Sequence, residues 1–539
     1  MKKTLAFILT VVMLLGCVPA TVIAAENTTA STYTGTPDTS WYTPEVETAK
    51  TFTITTADQF AGVAVLVNDQ QKTFEGFDLK LGADLVFNTG NAADWETTSP
   101  TYSWTPIGTG TYFYGKFNGQ GHSISGLYVN TPANDFVGVF GVVSGATIQN
   151  LQVLNSYFSG KAAVAGVAAC VKLIPANFRN IYCDAIVKSA ANYAGGIAGT
   201  LDVSGCEFTN ILFTGSTWAG NQYSAGIAAW FKAQNITTFK NCVTYGTHGA
   251  KKKAGGIFGL IQENNVTVEN CISAANVYIT GLDSKGNLLT ECGMMTAAMY
   301  AAAGKYTVNV KDFIYATGET YPDRLVKDVN SAEGGSYAYV TFNYKQTNAD
   351  GVAETVEAPL GVAADSLKGA NVLSALTPAF KDWYVTAEGY AMPKGLAIAL
   401  GYVQQASIRA VTAQVSKGSA DMDIRFVATL DKMEYEEIGF EITYRLPDAS
   451  EDTVVKASVH DVYAEIYGAT ANFDILTRSA SYYDANYLYT YTVEALPLTG
   501  TITFTVKPYT KAANAEAVFG EGYEVTYTDG VFVVAEAIA

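Results

Sequence analysis

The sequence predicts an all-β protein, a parallel β-helix solenoid with capping segments followed by an antiparallel β-sandwich. The first observation is a period. The strings GVFGVV, GVAACV, GIAGTL, GIAAWF and GIFGLI begin at Gly138, Gly166, Gly196, Gly226 and Gly256, at steps of 28, 30, 30 and 30 residues. A second marker keeps nearly the same period, with Asn150, Asn180, Asn210, Asn241 and Asn270 at steps of 30, 30, 31 and 29. Self-similarity at this length marks units that bury their apolar faces only against their neighbours. The second observation is composition: 49 glycines, 34 tyrosines and only 15% charged residues suit strands and turns. The third is a change of texture after residue 402, where ASIRAVTAQV, MDIRFVATL, EIGFEITYRL and GTITFTVKPYT alternate in steps of two.

Taken in chain order, residues 1–25 read as a secretory signal peptide: MKK, an apolar run, and small residues ending at Ala24 and Ala25. LLGC, ending at Cys17, is a competing lipoprotein box, disfavoured by Leu15 before the glycine. Residues 26–49 are expected as a flexible N-terminal segment, and 50–358 as the β-helix. A helical cap opens that region: Thr56 and Gln59 suit a capping box, and Phe60, Val63, Ala64 and Val67 share a face. Within each coil the period dictates residue choice. Equivalent residues of stacked strands sit about 4.8 Å apart, so a small or apolar position must be so in every coil. The asparagine column is expected as a structural ladder of amides bonded from coil to coil at a turn. Cys242 and Cys271 follow their asparagines and are expected as stacked buried thiols, with a disulfide between them left open. Later units drift in CGMMTAAMY and VKDFIYATG, residues 359–402 are expected as C-terminal cap and linker, and 403–539 as the sandwich.

Phe113 to Gly160, followed by the AGGIAG units, resembles the GLUG-repeat proteins of bacterial cell surfaces. The upstream strings FTITTADQFAGVAVLVN and WTPIGTGTYFYG resemble the N-terminal flank of such proteins. The resemblance implies an extracellular β-helix, adhesion-like in role, and brings no catalytic motif. Through IRA, IRFVATL and FTVKPYT, the terminal region resembles an Ig-like module of secreted Gram-positive proteins.

A net charge of −17 argues against nucleic acid and anionic membranes as partners. No other apolar run approaches a membrane span. With three histidines and no CxxC pair, neither a metal nor any other cofactor is expected. From Val137 to Tyr300 the acids are Asp184, Asp202, Glu207, Glu263, Glu269, Asp283 and Glu291, and they share no register. A catalytic carboxylate pair is therefore not expected on the coils, although Asp84, Asp94 and Asp135 remain as loop acids for a rival lyase or glycosidase reading. His122 is expected to make a structural hydrogen bond, and the Lys251–Lys253 run reads as a solvated turn with an anionic-glycan contact as its alternative. The candidate ligand-binding residues are Tyr482 and Tyr483, placed before a strand carrying Tyr487, Tyr489 and Tyr491. The favoured reading is a secreted or surface-associated, non-catalytic, monomeric protein for adhesion, glycan binding or scaffolding. Its partner would be an extracellular or cell-wall glycan or a host surface component. A polysaccharide-active enzyme and a structural spacer are the alternatives.

Overall fold

The computed structural model describes residues 30–232, 236–263, 265–282, 285–287, 292–300, 306–318, 340–369, 372–381, 383–402, 408–415, 421–430, 437–460, 473–476, 487–511, 517–520, 522–528 and 531–534. The chain forms one compact unit through Tyr402 and a second from Val403. The segment expected as a signal peptide, with Cys17, lies outside the described residues, as do Tyr482 and Tyr483.

The first unit is a parallel β-solenoid with four strands per coil. In the coil starting at Asn177 these are Asn177–Cys183, Ile186–Ser189, Tyr193–Gly195 and Ala198–Leu201, called here the first to fourth faces. The next coil repeats them as Glu207–Phe213, Ser216–Ala219, Tyr223–Ala225 and Ala228–Lys232. Register is parallel on every face, with Phe178 opposite Phe208, Val187 opposite Thr217, Tyr193 opposite Tyr223, and Ala198 opposite Ala228. The drifting strings stay in the stack: Thr296–Tyr300 pairs with Phe258–Gln262, and Tyr306–Thr317 with Val266–Ser273.

Two inward columns of the first face build the core. One runs Ile148, Phe178, Phe208, Phe239, Val268, and its rings stack at 4.8 Å with interplanar angles of 10° and 9°. The other runs Leu151, Ile181, Ile211, Cys242, Cys271. The columns are three residues apart, where a regular strand would space its inward positions by two. A single left-handed residue supplies the extra step. Asn150, Asn180, Asn210, Asn241 and Asn270 have φ of 52°, 53°, 56°, 53° and 51°. Asparagine tolerates that conformation better than other residues with a Cβ. Each side-chain amide donates to the oxygen of the preceding coil, Asn180 to Asn150 at 2.7 Å, Asn210 to Asn180 and Asn241 to Asn210 at 2.8 Å, Asn270 to Asn241 at 3.2 Å. Asn118 accepts from Asn150 at the N-terminal end. In the coil after Asn270 the left-handed position is held by Asp312, φ 53°, whose carboxylate accepts from the backbone N–H and hydroxyl of Thr347.

The glycine marker sits at the corner between third and fourth faces. A Cβ on Gly196 would lie 2.0 Å from the Gly226 carbonyl oxygen and 2.7 Å from the Phe213 ring. Gly166 and Gly226 face the next coil in the same way. The repeated glycine is thus a requirement of close backbone approach.

All six described cysteines are free thiols, and Cys170, Cys183, Cys206, Cys242 and Cys271 are buried. The Cys242 N–H donates to Cys271 Sγ at 3.4 Å. Burial, then the nearby Asp202 carboxylate, pushes the Cys170 thiol up to about 12, and burial pushes Cys206 up to about 11. These five thiols are expected to resist alkylation at pH 8 in the native protein and to react without reductant once guanidinium unfolds it. Peptide mapping that finds them still unmodified after unfolding would replace the thiols with disulfides.

Two expectations are corrected. Residues 30–49 are packed, not flexible: Ser31–Thr32 adds a strand beside Leu85–Val86, and the buried Trp41 ring stacks on Phe52 at 4.2 Å. The burial of Tyr33 and Trp41 explains why this stretch is held. The segment 359–402 contributes one strand to the last coil, Leu360–Ala363 beside Ile314–Thr317, and then runs back along the flank of the solenoid instead of closing its end. Buried Tyr245 fastens it, its hydroxyl donating to the Leu367 carbonyl and accepting from the Ala391 N–H, both at 2.9 Å. The short helix Lys394–Ala399 packs on Asn177–Cys183 and Glu207–Phe213, where Gly395 leaves room for the Asn210 amide. At the other end, helix Ala57–Asn68 carries the capping box of Thr56 and Gln59, and Phe60 stacks on Trp104 at 5.0 Å.

The second unit is antiparallel. One sheet orders Ile408–Val415, Asp421–Leu430, Tyr487–Pro497 and Phe473–Leu476; the other is built on Glu437–Tyr444, Thr453–His460, Thr501–Lys511 and Tyr523–Thr528. Phe426 and Ile424 of the first share one core with Phe440, Ile442, Phe504 and Val525 of the second, so the sheets pack face to face. Tyr491 is half-buried against that core, and the side chains of Tyr487 and Tyr489 lie outside the described residues.

Candidate ligand-binding face

The second and third faces of the solenoid bring together aromatic residues that sequence reasoning did not single out. On the third face Tyr193 and Tyr223 are register partners, their rings 5.9 Å apart and 6° from parallel. Trp230, from the fourth face, lies 5.6 Å from Tyr193 at 29°, and its ring N–H donates to Gln262 Oε1 at 3.2 Å. On the second face the outward column reads Lys188, Trp218, Gly249, Tyr278. Trp218 and Tyr278 are two coils apart yet their rings come to 5.9 Å and 26°. They meet over Gly249, where a Cβ would lie 2.4 Å from Tyr278 Cζ and 2.7 Å from Trp218 Cε3. All of these rings are half-buried except Tyr278, which is 38% exposed.

Short turns join the two faces and stack in the same way. Lys251 and Lys253 donate backbone N–H groups to Ala219 and Gln222, and Asn221 donates one to Ala191. The Asn221 side chain donates to the Asn192 oxygen at 3.4 Å. Lys253 Nζ lies 5.9 Å from the Tyr223 ring centre. A signal for part of this face was present in the sequence, since Tyr193 and Tyr223 are one 30-residue step apart.

The acids are dispersed. Asp84 is held by His122 and Ser123, Asp135 by Lys161, and Asp94 lies in a short 3-10 turn. The hydrogen bond from His122 comes first in holding the Asp84 carboxyl below its ordinary range. On the first face Glu207 pairs with Arg179, and Glu269 with Lys240 and Lys311. Among the described residues no three His, Cys, Asp or Glu side chains converge as metal ligands, and no helix is long and apolar enough to cross a membrane. His248 is wholly interior; burial pushes it down to about 3, and its Nδ1 lies 3.1 Å from the Thr217 hydroxyl.

Asp184 is the strained acid. Burial raises it to about 6 although the Asn155 backbone N–H donates to it. Between about pH 4 and pH 6 the native carboxyl keeps a proton that the unfolded chain has released. Stability therefore falls as pH rises through that window and stays lower above it. Asp184→Asn is expected to flatten this fall and to be more stable than wild type at pH 7 by on the order of 2 kcal/mol. Parallel stability curves for the two proteins from pH 4 to 7 would refute the assignment.

No family model matches the chain, and no curated protein does. A solved structure from Bacteroides ovatus, described as a "putative immunoglobulin A1 protease", superimposes with a TM-score of 0.43 at 17% identity, covering 64% of this chain and 92% of that one. Likeness at that level says nothing of activity or partners here. The resemblance to GLUG-repeat proteins rests on the sequence strings.

Proposed function

We propose that this chain is a secreted or surface-associated glycan-binding protein, a GLUG-type solenoid carrying its ligand on the second and third faces. The observation that supports this is the pair of near-parallel aromatic sets, Trp218 with Tyr278 and Tyr193 with Tyr223 and Trp230. Rings of this kind combine an apolar body with polar tips, which suits the C–H faces and hydroxyls of a sugar. The amides of Asn192 and Asn221 stand between the sets as hydrogen-bonding groups. The signal-peptide reading of residues 1–25 supports export. The dispersed acids favour binding over hydrolysis or elimination.

The test is a glycan array probed with the full chain, followed by titration of the best ligand. Trp218→Ala and Trp230→Ala are each expected to weaken binding about tenfold, a loss of about 1.4 kcal/mol, while the far-UV spectrum stays that of the wild type. Absence of any glycan ligand, or full affinity in both variants, would remove this reading.

A further inference from the structure

We infer that the ligand of this face is an anionic polysaccharide, one whose sugars carry carboxylate or sulfate groups; the inference rests on the glycan-binding reading above and adds the charge class. The chain as a whole is strongly acidic, with 50 Asp and Glu against 33 Lys and Arg. Its solenoid reverses that balance locally. Residues 137–280 hold nine Lys and Arg against five Asp and Glu, a balance of +4. The reversal is concentrated on the two aromatic faces. In the coils from Tyr157 to Ile279 the stretches 157–165, 186–195, 216–225, 247–255 and 276–279 of those faces contain five lysines and no acid, whereas the connections at either end of this run carry Asp135 before it and Asp283 and Glu291, with Lys285, after it.

The lysines divide into two groups. Lys161 and Lys188 are answered by acids brought from neighbouring loops, Asp135 and Glu96. Lys251 and Lys252 are exposed and make no ion pair among the described residues. Their turn lies at the corner between Gly249, on which the Trp218 and Tyr278 rings meet, and Lys253, whose ammonium lies against the Tyr223 ring. A polymer crossing from one aromatic set to the other passes this corner. Lys253 Nζ lies 5.9 Å from the Tyr223 ring centre, and the exposed ammonium groups of Lys251 and Lys252 beside it attract anions in a salt-dependent way. In a chain of net charge −17, a patch of this sign also steers an anionic polymer to one face and repels it from the rest. A neutral glycan would draw no benefit from the arrangement.

The experiment titrates the full chain with polygalacturonate, heparin and a neutral galactan, and with a single-stranded oligothymidylate as a non-saccharide polyanion, at low and at raised salt. Polygalacturonate or heparin is expected to bind at least tenfold tighter than galactan, with the preference between them distinguishing carboxylate from sulfate, and to weaken as salt rises. The double substitution Lys251→Gln with Lys252→Gln is expected to lower that affinity at least fivefold without changing the melting temperature. Tight galactan binding that is indifferent to the double substitution would overturn the anionic inference and leave the glycan reading standing. Failure of all three polysaccharides would overturn both. Oligothymidylate binding as tightly as the best polysaccharide, or anionic polysaccharide binding that ignores the two lysines, would overturn the assignment of this corner.

Discussion

Phe208→Ala is expected to destabilise the solenoid by about 3–5 kcal/mol, the range for truncating a fully buried aromatic ring. Phe208 is wholly buried and lies between Phe178 and Phe239 with 4.8 Å on either side. Neither neighbour can collapse into the space, because each is fixed by its own backbone register to the strand above or below. The cavity therefore stays, and the lost transfer free energy is joined by lost ring contacts. Phe208→Leu keeps most of the volume and should cost about 1–2 kcal/mol. Denaturant titration measures the loss, and native-state hydrogen exchange should locate it in the coils containing residues 178–239. An effect below about 1 kcal/mol for the alanine variant would mean that the stacked rings do not carry the core.

Asn210→Ala is expected to cost about 3 kcal/mol and Asn210→Gly about 2 kcal/mol. Two contributions separate these variants. Both remove the amide that accepts from Asn241 and donates to Asn180, a loss of about 1 kcal/mol per hydrogen bond. Only alanine must also hold φ near 56° with a Cβ, at about 1 kcal/mol or more. Glycine adopts that conformation freely. The order Asn, Gly, Ala in denaturation midpoints is thus the signature of a ladder built on left-handed residues. Equal loss in the two variants would remove the backbone contribution, and a near-neutral glycine variant would remove the ladder.

The solenoid was legible because its neighbours are equivalents. In a parallel stack each residue meets the residue one period away, so recurrence in sequence is contact in space. Ile181 faces Ile211, and Cys242 comes beside Cys271, for that reason. The sandwich was legible through its alternating strands, and the capping box of Thr56 and Gln59 through local spacing. The left-handed geometry of the asparagines was less so. An asparagine marks a turn, but only the coordinates show that one such residue moves the inward positions from two apart to three.

The period, the strand texture and the small-residue corners by themselves determined a parallel solenoid followed by an antiparallel sandwich, because those features are repeated in every unit and need no knowledge of distant contacts. Tertiary structure alone decided what happens between non-equivalent positions. It placed Leu367 and Ala391 against Tyr245 and helix Lys394–Ala399 on the flank, held Trp41 against Phe52, brought Trp230 across a corner to Tyr193, and let Trp218 reach Tyr278 over Gly249. All but the last of those contacts join residues that share no period; Trp218 and Tyr278 are register equivalents two coils apart, and their meeting depends on how the side chains lean and on the space that Gly249 leaves. The candidate ligand-binding face combines these contacts with the Tyr193–Tyr223 step, so the repeat supplies its columns and the fold decides which rings meet.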